Sequence, residues 1–471
     1  MAEFKFSQEP VKVPFVNSKF RKIKTKIPPP GSSRIFDKLG KYESRSMHGQ
    51  MPVIWDRAKD FQVYDPYGNC WIDFTSTIFV TNTGHANKDI ISALRKQLDK
   101  GLLHSYTYAN EPRVSFLQKL VEMTPKHLDK AFLLSAGTEA TECAVKLMRM
   151  NGQTIDKKKV AIISFKGSMH GRTMAAEMLK GDPKSSAWIG YRDPNIYNIP
   201  FPYPWTIGSS SNGRVSKAAW EKRFAEDMLS LKKQGLDFKK IAGFILESYI
   251  GWGAIFFPAP YVKALASFAK KYGCVLTFDD IQGGFGRTGK LFAYQHYGVE
   301  PDLVCLGKGI SGSLPLSAVL GRRKILDLPG IGSMSSTHSA NPLSCAAGLA
   351  NIEAIRSRGL VKEAERKGKI LHSSLNKIKE KYGHRISYVF GHGLLAAVLF
   401  KDPVTGSPDH LFPSKVCERA MQKGLLLVHT GRESIKLGPP LTIPDSALRD
   451  GIDVLEQCIQ EIDRSGCGDD K

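Results

Sequence analysis

No apolar run in this 471-residue chain approaches the roughly 18 residues that a membrane-spanning helix needs, which argues against a helical membrane protein. Cysteine is sparse and scattered. The eight residues stand at 70, 143, 274, 305, 345, 417, 458 and 467, with no C-x-x-C pair among them. That usage suits a reducing compartment and offers no zinc site, so no metal is expected. The opening MAEFKFSQEP lacks the apolar core of a signal peptide, and Glu3 and Glu9 speak against a mitochondrial presequence. A cytoplasmic protein is expected. Repeats and low-complexity tracts are also missing. Acidic residues are in deficit, 45 Asp/Glu against 67 Lys/Arg, for a formal net charge of +22. The first 50 residues hold 11 Lys/Arg against 4 Asp/Glu, with a run at FRKIKTK (20–26). Such charge suits nucleic acid or an anionic surface. No aromatic-interleaved basic motif or DNA-reading helix accompanies it, so it reads as a basic surface that aids solubility or draws in anionic small molecules. Neither nucleic acid nor membrane is expected as a partner.

What is present is a large globular chain, 42% hydrophobic and 24% charged. Its length predicts two or three domains. Residues 1–60 form a basic arm with a linker signal at PPPGSS (28–33) and are expected to contribute to a smaller domain. From about residue 61 to 335, short apolar runs recur: AFLLS (131–135), VAIISF (160–165), AGFILE (242–247), VLTFD (275–279), LVCLG (303–307) and LSAVLG (316–321). They lack strict alternation, as strands buried on both faces do. Helix-like stretches such as 139–150 and 261–273 lie between them, which predicts an α/β domain with a mostly parallel central sheet. The interval 181–220, rich in Pro, Gly, Ser and Tyr, reads as a long ordered excursion. Residues 336–471 change texture. A helix pair (341–357 and 360–383), short strands around ISYVFG and GLLLV, and a closing helix (447–463) predict a smaller α+β domain.

One segment, VLTFDDIQGGFGRTGK (275–290), poses the functional question. It contains G-x-G-x-x-G and nearly a P-loop. A dinucleotide site would need its acidic residue at the end of the following strand, but that strand, LVCLG, leads into Gly307-Lys308. The stretch after Gly289 is interrupted by Gly298 and Pro301, which is short for a pyrophosphate-binding helix. The P-loop pattern fails at Leu291, where a magnesium-ligating hydroxyl belongs. The residues that close neighbouring strand runs, Asp279 and Lys308, carry more meaning. Ligands of α/β sheets sit at the carboxyl ends of strands. Pyridoxal phosphate needs a lysine for its aldehyde and a carboxylate for its ring nitrogen. A buried salt bridge would explain the same pair. The stretch LSAGTEATE (134–142) runs from a strand through Gly137 and Thr138 into a helix, which fits either a phosphate site or ordinary capping.

Taken together, FDDIQGGFGRTGKLFAYQHYGVEPDLVCLGKGISGSLPLSAVLG (278–321) closely resembles the signature of the class III pyridoxal-phosphate aminotransferases, the ω-amino acid group that includes the ornithine and 4-aminobutyrate enzymes. SAGTEATECAVKLMR (135–149), MHGRT (169–173), STHSANPLSCAAGLA (336–350), KLGPPLTI (436–443), TKIPPPGS and DPYGNCWIDFTS (65–76) resemble further family blocks in family order, over nearly the whole chain. The resemblance implies the aspartate-aminotransferase-like fold (fold type I) and pyridoxal 5'-phosphate as cofactor. It implies a ping-pong reaction from an amino donor to a keto-acid or aldehyde acceptor. By the same resemblance Lys308 forms the Schiff base and shuttles the proton, and Asp279 partners the ring nitrogen. Gln282 lies near the ring hydroxyl, Ile281 packs on one ring face, and Met169 and His170 lie beside the ring. Gly137 and Thr138 form the phosphate loop. Thr337 reaches the phosphate from another subunit, which implies a homodimer with sites at its interface, or a tetramer built from such dimers. Arg172 matches a position that holds a substrate carboxylate in several relatives.

Three departures bear on the substrate. Met169 stands where the family has an aromatic residue. The block ESYIGWGA (247–254) carries Trp252 where ω-aminotransferases keep a glutamate that pairs with an arginine as a switch. That arginine is Lys436 here, which lacks the bidentate fork for a carboxylate and could also be a solvated surface lysine; Arg432 is the alternative cation. The expected substrate is an amine or amino acid with an apolar part near Trp252 and a carboxylate at Arg172. Two other readings stand beside transamination. One is an amino-acid racemase or epimerase of the same fold, with Lys308 returning the proton to the opposite face. The other is a non-enzymatic derivative, against which the intact Asp279, Gln282 and Lys308 weigh.

Overall fold

The computed structural model describes residues 4–206 and 215–466. Cys467 and part of the 181–220 excursion lie outside the described residues. The chain divides into two compact units. One comprises Met1–Asn87, Trp252–Ala254 and Lys362–Lys471, and the other Lys88–Gly251 and Ile255–Val361.

The second unit is built on a seven-stranded sheet. Its strands are β1 (Lys130–Leu134), β2 (Ala161–Phe165), β3 (Ile196–Ile199), β4 (Ile241–Glu247), β5 (Val275–Asp279), β6 (Leu303–Leu306) and β7 (Ser317–Gly321). Their spatial order is β1-β7-β6-β5-β4-β2-β3. All run parallel except β7, which is antiparallel to both β6 and β1. Every residue of β2, β4, β5, β6 and β7 is buried, which is why these runs show no alternation. All six apolar runs of the sequence become strands of this one sheet. β3 lies inside the Pro- and Tyr-rich excursion. Its four residues, IYNI, are too short and too mixed in polarity to stand out from their surroundings. Helix α1 (Gly137–Gln153) packs its buried face (Ala140, Ala144, Leu147, Met148) into the sheet's core, together with Ile162, Ile245 and Val319. Helix α2 (Ala259–Tyr272) ends at Gly273, whose φ of 59° is the left-handed cap that stops it ahead of β5. Helix α3 (Pro342–Ser357) packs through Ala347 and Ala350 onto Ile90 of the helix Lys88–Asp99. That contact places residues 336–361 in this unit.

The first unit has two small sheets. In one, Cys70–Asp73 pairs with Lys22–Ile23, Gln62–Tyr64 and, in parallel, Leu425–Leu426. This pairing joins residues 61–87 to the N-terminal arm and the C-terminal region. Ile23, Ile27, Val63, Trp71, Met421 and Leu426 form its core, and the buried Trp71 donates its indole N–H to the Met421 carbonyl at 2.7 Å. The other sheet joins Ile386–His392, Leu395–Phe400, Ser434–Leu437 and Val428–His429. The helices Leu360–Lys381 and Asp445–Gly466 follow the predicted spans closely.

His372, on the first of these helices, gives the unit an acid-sensitive point. Burial and the neighbouring His392 push it down to about 4. The native state therefore holds it neutral, while the unfolded chain protonates it below its ordinary value of about 6.5. Its contribution to stability is fully present above that value and is lost as pH falls toward 4. Between pH 7.5 and 4.5, unfolding free energy measured in urea should fall by about 2 kcal/mol less in His372→Gln than in the wild type. An equal fall in both would show that the histidine does not titrate this way.

Candidate active site

Three chain-distant residues meet where parallel strands end. Asp279 closes β5. Glu247 closes β4 and is its register partner, and Cys305 of β6 is the partner on the other side. β6 ends at Leu306, two residues before Lys308. The sheet thus puts the aspartate and the lysine at the carboxyl ends of adjacent strands.

Asp279 is 6% exposed. Its Oδ1 accepts the Ile281 amide at 3.1 Å, and its Oδ2 lies 2.8 Å from His170 Nδ1. The His170 ring is buried, its carbonyl accepts the Thr141 hydroxyl at 2.7 Å, and its Nε2 has no hydrogen-bond partner. Lys308 has a φ of 45°, left-handed for a residue with a side chain. Asn351 of α3 anchors the chain just beyond it by donating to the carbonyls of Gly309 and Ile310 at 2.8 and 3.2 Å. The Lys308 ammonium enters no hydrogen bond or ion pair of the described residues. Burial lowers its pKa, opposed by the charges of Asp279 and Glu247. Burial also pushes both Glu247 and Asp280 up to about 7.

Ile281 ties the remaining pieces together. A Cβ on Gly137 would stand 3.0 Å from its Cδ1, and one on Gly307 would stand 3.2 Å from its Cγ2. The start of α1 and the approach to Lys308 therefore both press against one aliphatic side chain. Glu139 caps α1 by accepting the amides of Ser135 and Ala136 at 2.8 and 3.1 Å. The amides of Gly137 and Thr138, one step further in, donate to no described residue. The Thr138 hydroxyl meets that of Thr173 at 2.7 Å. Met169 is 40% exposed. Arg172 is exposed and forms no ion pair or hydrogen bond with the described residues.

Thr337 is exposed on the loop before α3, where its carbonyl is 2.8 Å from His104 Nε2. Trp252, Arg432 and Lys436 belong to the first unit. There the Arg432 guanidinium lies 3.8 Å from the centroid of the Trp252 ring and donates to Glu433 at 3.3 and 3.4 Å. Lys436 is 5% exposed, with its ammonium 4.9 Å from the centroid of the Phe79 ring, so it is not a solvated surface lysine. The glycine segment after Asp280 is a packed turn: Gly284 and Gly289 donate back to Asp280 and Gly286, and Arg287 is fully buried. Only the short 3-10 segment Ala293–Tyr297 follows it, so no helix N-terminus faces these glycines. Glu247 was missed, although AGFILE ends on it just as VLTFD ends on Asp279.

These residues fit pyridoxal phosphate. The donor set is a buried carboxylate, an amine whose charge burial disfavours, an imidazole nitrogen without a partner, and two undonated amides at the start of a 17-residue helix. Among the described residues no group of three or more His, Cys, Asp or Glu is placed to hold a metal ion, and no helix is long and apolar enough to cross a membrane.

Comparison with known proteins agrees. The family profile described as Aminotransferase class-III matches residues 44–459. The chain is 33% identical to the 2-aminoadipate transaminase of Pseudomonas putida over 418 residues, covering 87% of this chain and 96% of that protein. It is 31% identical to the 4-aminobutyrate aminotransferase of Escherichia coli, covering 87% and 94%. Among solved structures, a thermostable (S)-enantioselective omega-transaminase from Thermomicrobium roseum superposes with a TM-score of 0.83 at 25% identity, covering 91% of this chain and 98% of that one. These relatives support transamination and not the racemase alternative. With the profile and the relatives both spanning most of its length, the chain belongs to the class III aminotransferases, pyridoxal-phosphate-dependent enzymes of fold type I that move an amino group from a donor to a keto-acid acceptor.

Proposed function

We propose that transamination takes place at the carboxyl ends of β4, β5 and β6, with Lys308 and Asp279 as its working pair. The observation that carries this is their placement at the carboxyl ends of adjacent parallel strands, Asp279 closing β5 and Lys308 two residues past β6, with Lys308 disposed by burial toward its neutral form. When bound, pyridoxal phosphate supplies an aldehyde that captures primary amines and a cationic ring that withdraws electrons from the neighbouring carbon. Lys308 would hold that aldehyde through its amine and would be the base that moves the proton of the substrate carbon. Asp279, its carboxylate fixed by His170, would hold the proton on the ring nitrogen. Gly137 and Thr138 would receive the phosphate at the positive end of α1. Ile281 and Met169 would pack against the ring, and Gln282 would face its hydroxyl.

Thr337 completes the phosphate site from a second copy, so the working unit is a homodimer. Support comes from the surface around it. His104 and Tyr106 tie the 102–108 segment to the Thr337 loop, and Leu102, Leu103, Tyr106, Tyr108 and Ile331 are all exposed there. Buried, unpaired thiols at the seven described cysteines suit the cytoplasm.

The substrate reading is an amino acid or amine with an apolar part at Trp252 and a carboxylate at Arg172, whose guanidinium offers a free fork. 2-Aminoadipate and 4-aminobutyrate, after which two relatives are named, both bear a carboxylate away from the amine. Here Trp252 and Lys436 replace the charged pair expected for such a group. Trp252→Glu combined with Lys436→Arg should therefore raise kcat/KM for ω-amino acids relative to apolar amines by at least about 10-fold. An unchanged preference would sink this assignment. Absorption of the cofactor-loaded protein, followed during single donor additions without acceptor, tests the reaction itself. The aldehyde form's band should give way to that of the aminated cofactor. Scrambling of a donor's chirality without amination would instead favour racemisation, and absence of any lysine-bound band with excess cofactor would remove Lys308 from its role.

A further inference from the structure

Glu247 lies opposite Asp279 in the register of β4 and β5 and is 6% exposed. Its Oε2 accepts the Met169 amide at 3.0 Å and the Gly251 amide at 3.4 Å. Met169 leads directly into His170, whose Nδ1 stands 2.8 Å from Asp279 Oδ2. On the opposite side, a Cβ on Gly251 would lie 2.8 Å from Glu247 Oε1 and 2.7 Å from Gln282 Nε2. The carboxyl, the 251 turn and the Gln282 amide therefore crowd one spot that only a glycine leaves open. A buried carboxyl is costly unless it is hydrogen-bonded, and buried amides need an acceptor. Here one carboxyl answers both needs on two segments that flank Asp279. The titratable residues around it are His170, Asp279 and Lys308, and burial is the largest influence on it, pushing Glu247 up to about 7.

We infer that Glu247 is a positioning residue for transamination: it fixes the Met169–His170 segment, and through it the Asp279 carboxylate, while bracing Gln282 from the other side. This rests on the reading of Asp279 and Gln282 given under the proposed function. Glu247 touches neither substrate nor cofactor in this role. Its effect is on the angle at which the Asp279 carboxylate and the Gln282 amide are presented. Displacements of about 1 Å at such distances cost on the order of 100-fold in rate.

The test compares wild type, Glu247→Ala, Glu247→Gln and Gly251→Ala as cofactor-saturated holoenzymes. Three quantities are read: single-turnover rate and KM for an accepted donor, visible circular dichroism of the bound cofactor, and folded fraction at the assay temperature. In Glu247→Ala the rate should fall about 100-fold with far less change in KM, and the visible dichroism should change in fully folded protein. Glu247→Gln keeps one oxygen for the two amides and should recover most of that loss. Gly251→Ala, which drives a methyl between Glu247 and Gln282, should lower the rate with Glu247 intact. Folded Glu247→Ala with wild-type rate and dichroism overturns the inference. So does an equal loss in Ala and Gln variants with unaltered dichroism. If Glu247→Ala does not fold, Gly251→Ala decides, and wild-type behaviour there overturns it. A wild type that binds cofactor but aminates it with no donor strikes at the proposed reaction instead, and the dichroism comparison still reports on Glu247.

Discussion

Lys308→Ala is expected to lower the single-turnover amination rate by about 10⁴-fold, near the upper limit of what one positioned acid–base group supplies. The expectation follows from where the lysine stands. Its ammonium has no partner to lose among the described residues, so the substitution leaves no buried acceptor unsatisfied. The backbone beyond it stays pinned by Asn351 to the carbonyls of Gly309 and Ile310. The variant should therefore fold and retain cofactor only through the phosphate and ring contacts, so that gel filtration strips it more readily than the wild type. A small primary amine in the buffer should restore part of the rate, because it replaces the missing base without repairing the covalent hold. A rate within about 10-fold of wild type would show that another group moves the proton.

Asp279→Asn should cost about 10²–10³-fold in the same half-reaction, comparable to removing one preorganised electrostatic partner from a buried site. The amide matches the carboxylate in size, so the Ile281 amide still finds an oxygen. What is lost is the negative charge. With it goes the preference for a protonated ring nitrogen, and the absorption band of the bound cofactor should shift accordingly. His170 sharpens the expectation. Its Nδ1 sits 2.8 Å from Asp279 Oδ2, and an amide in that place can present N–H where the imidazole needs an acceptor. An Asp279→Asn enzyme with an unaltered band and near-wild-type rate would remove Asp279 from the ring-nitrogen role.

The same two residues show what could be read without coordinates. VLTFD and LVCLG are short, apolar and free of alternation because both faces of β5 and β6 are covered, so their ends were legible. The stretch 134–142 was legible as a strand, a glycine and a helix start within nine residues, which fitted a phosphate site and ordinary capping alike. β3 was not legible, since four residues of mixed polarity carry too little periodicity. Residues 61–87 and 336–361 divide between the units by strand pairing and by the packing of α3, and neither mark is local. Glu247 was in plain view at the end of AGFILE. Its importance depends on two amides, at 169 and 251, that reach it only after folding.

Sequence alone pointed to the class of chemistry through the resemblance of its blocks, above all residues 278–321, to the class III aminotransferases, whereas the lysine and aspartate at strand ends fitted a buried salt bridge equally well. The tertiary structure decided how these groups act on one another. The register of β4, β5 and β6 set Glu247, Asp279 and the approach to Lys308 side by side. Folding also laid Arg432 on Trp252 and Lys436 on Phe79, pairings between residues far apart in the chain. Burial, which shifts Lys308 and Glu247 in opposite senses from their ordinary pKa values, belongs to the surroundings of a side chain and to no stretch of sequence.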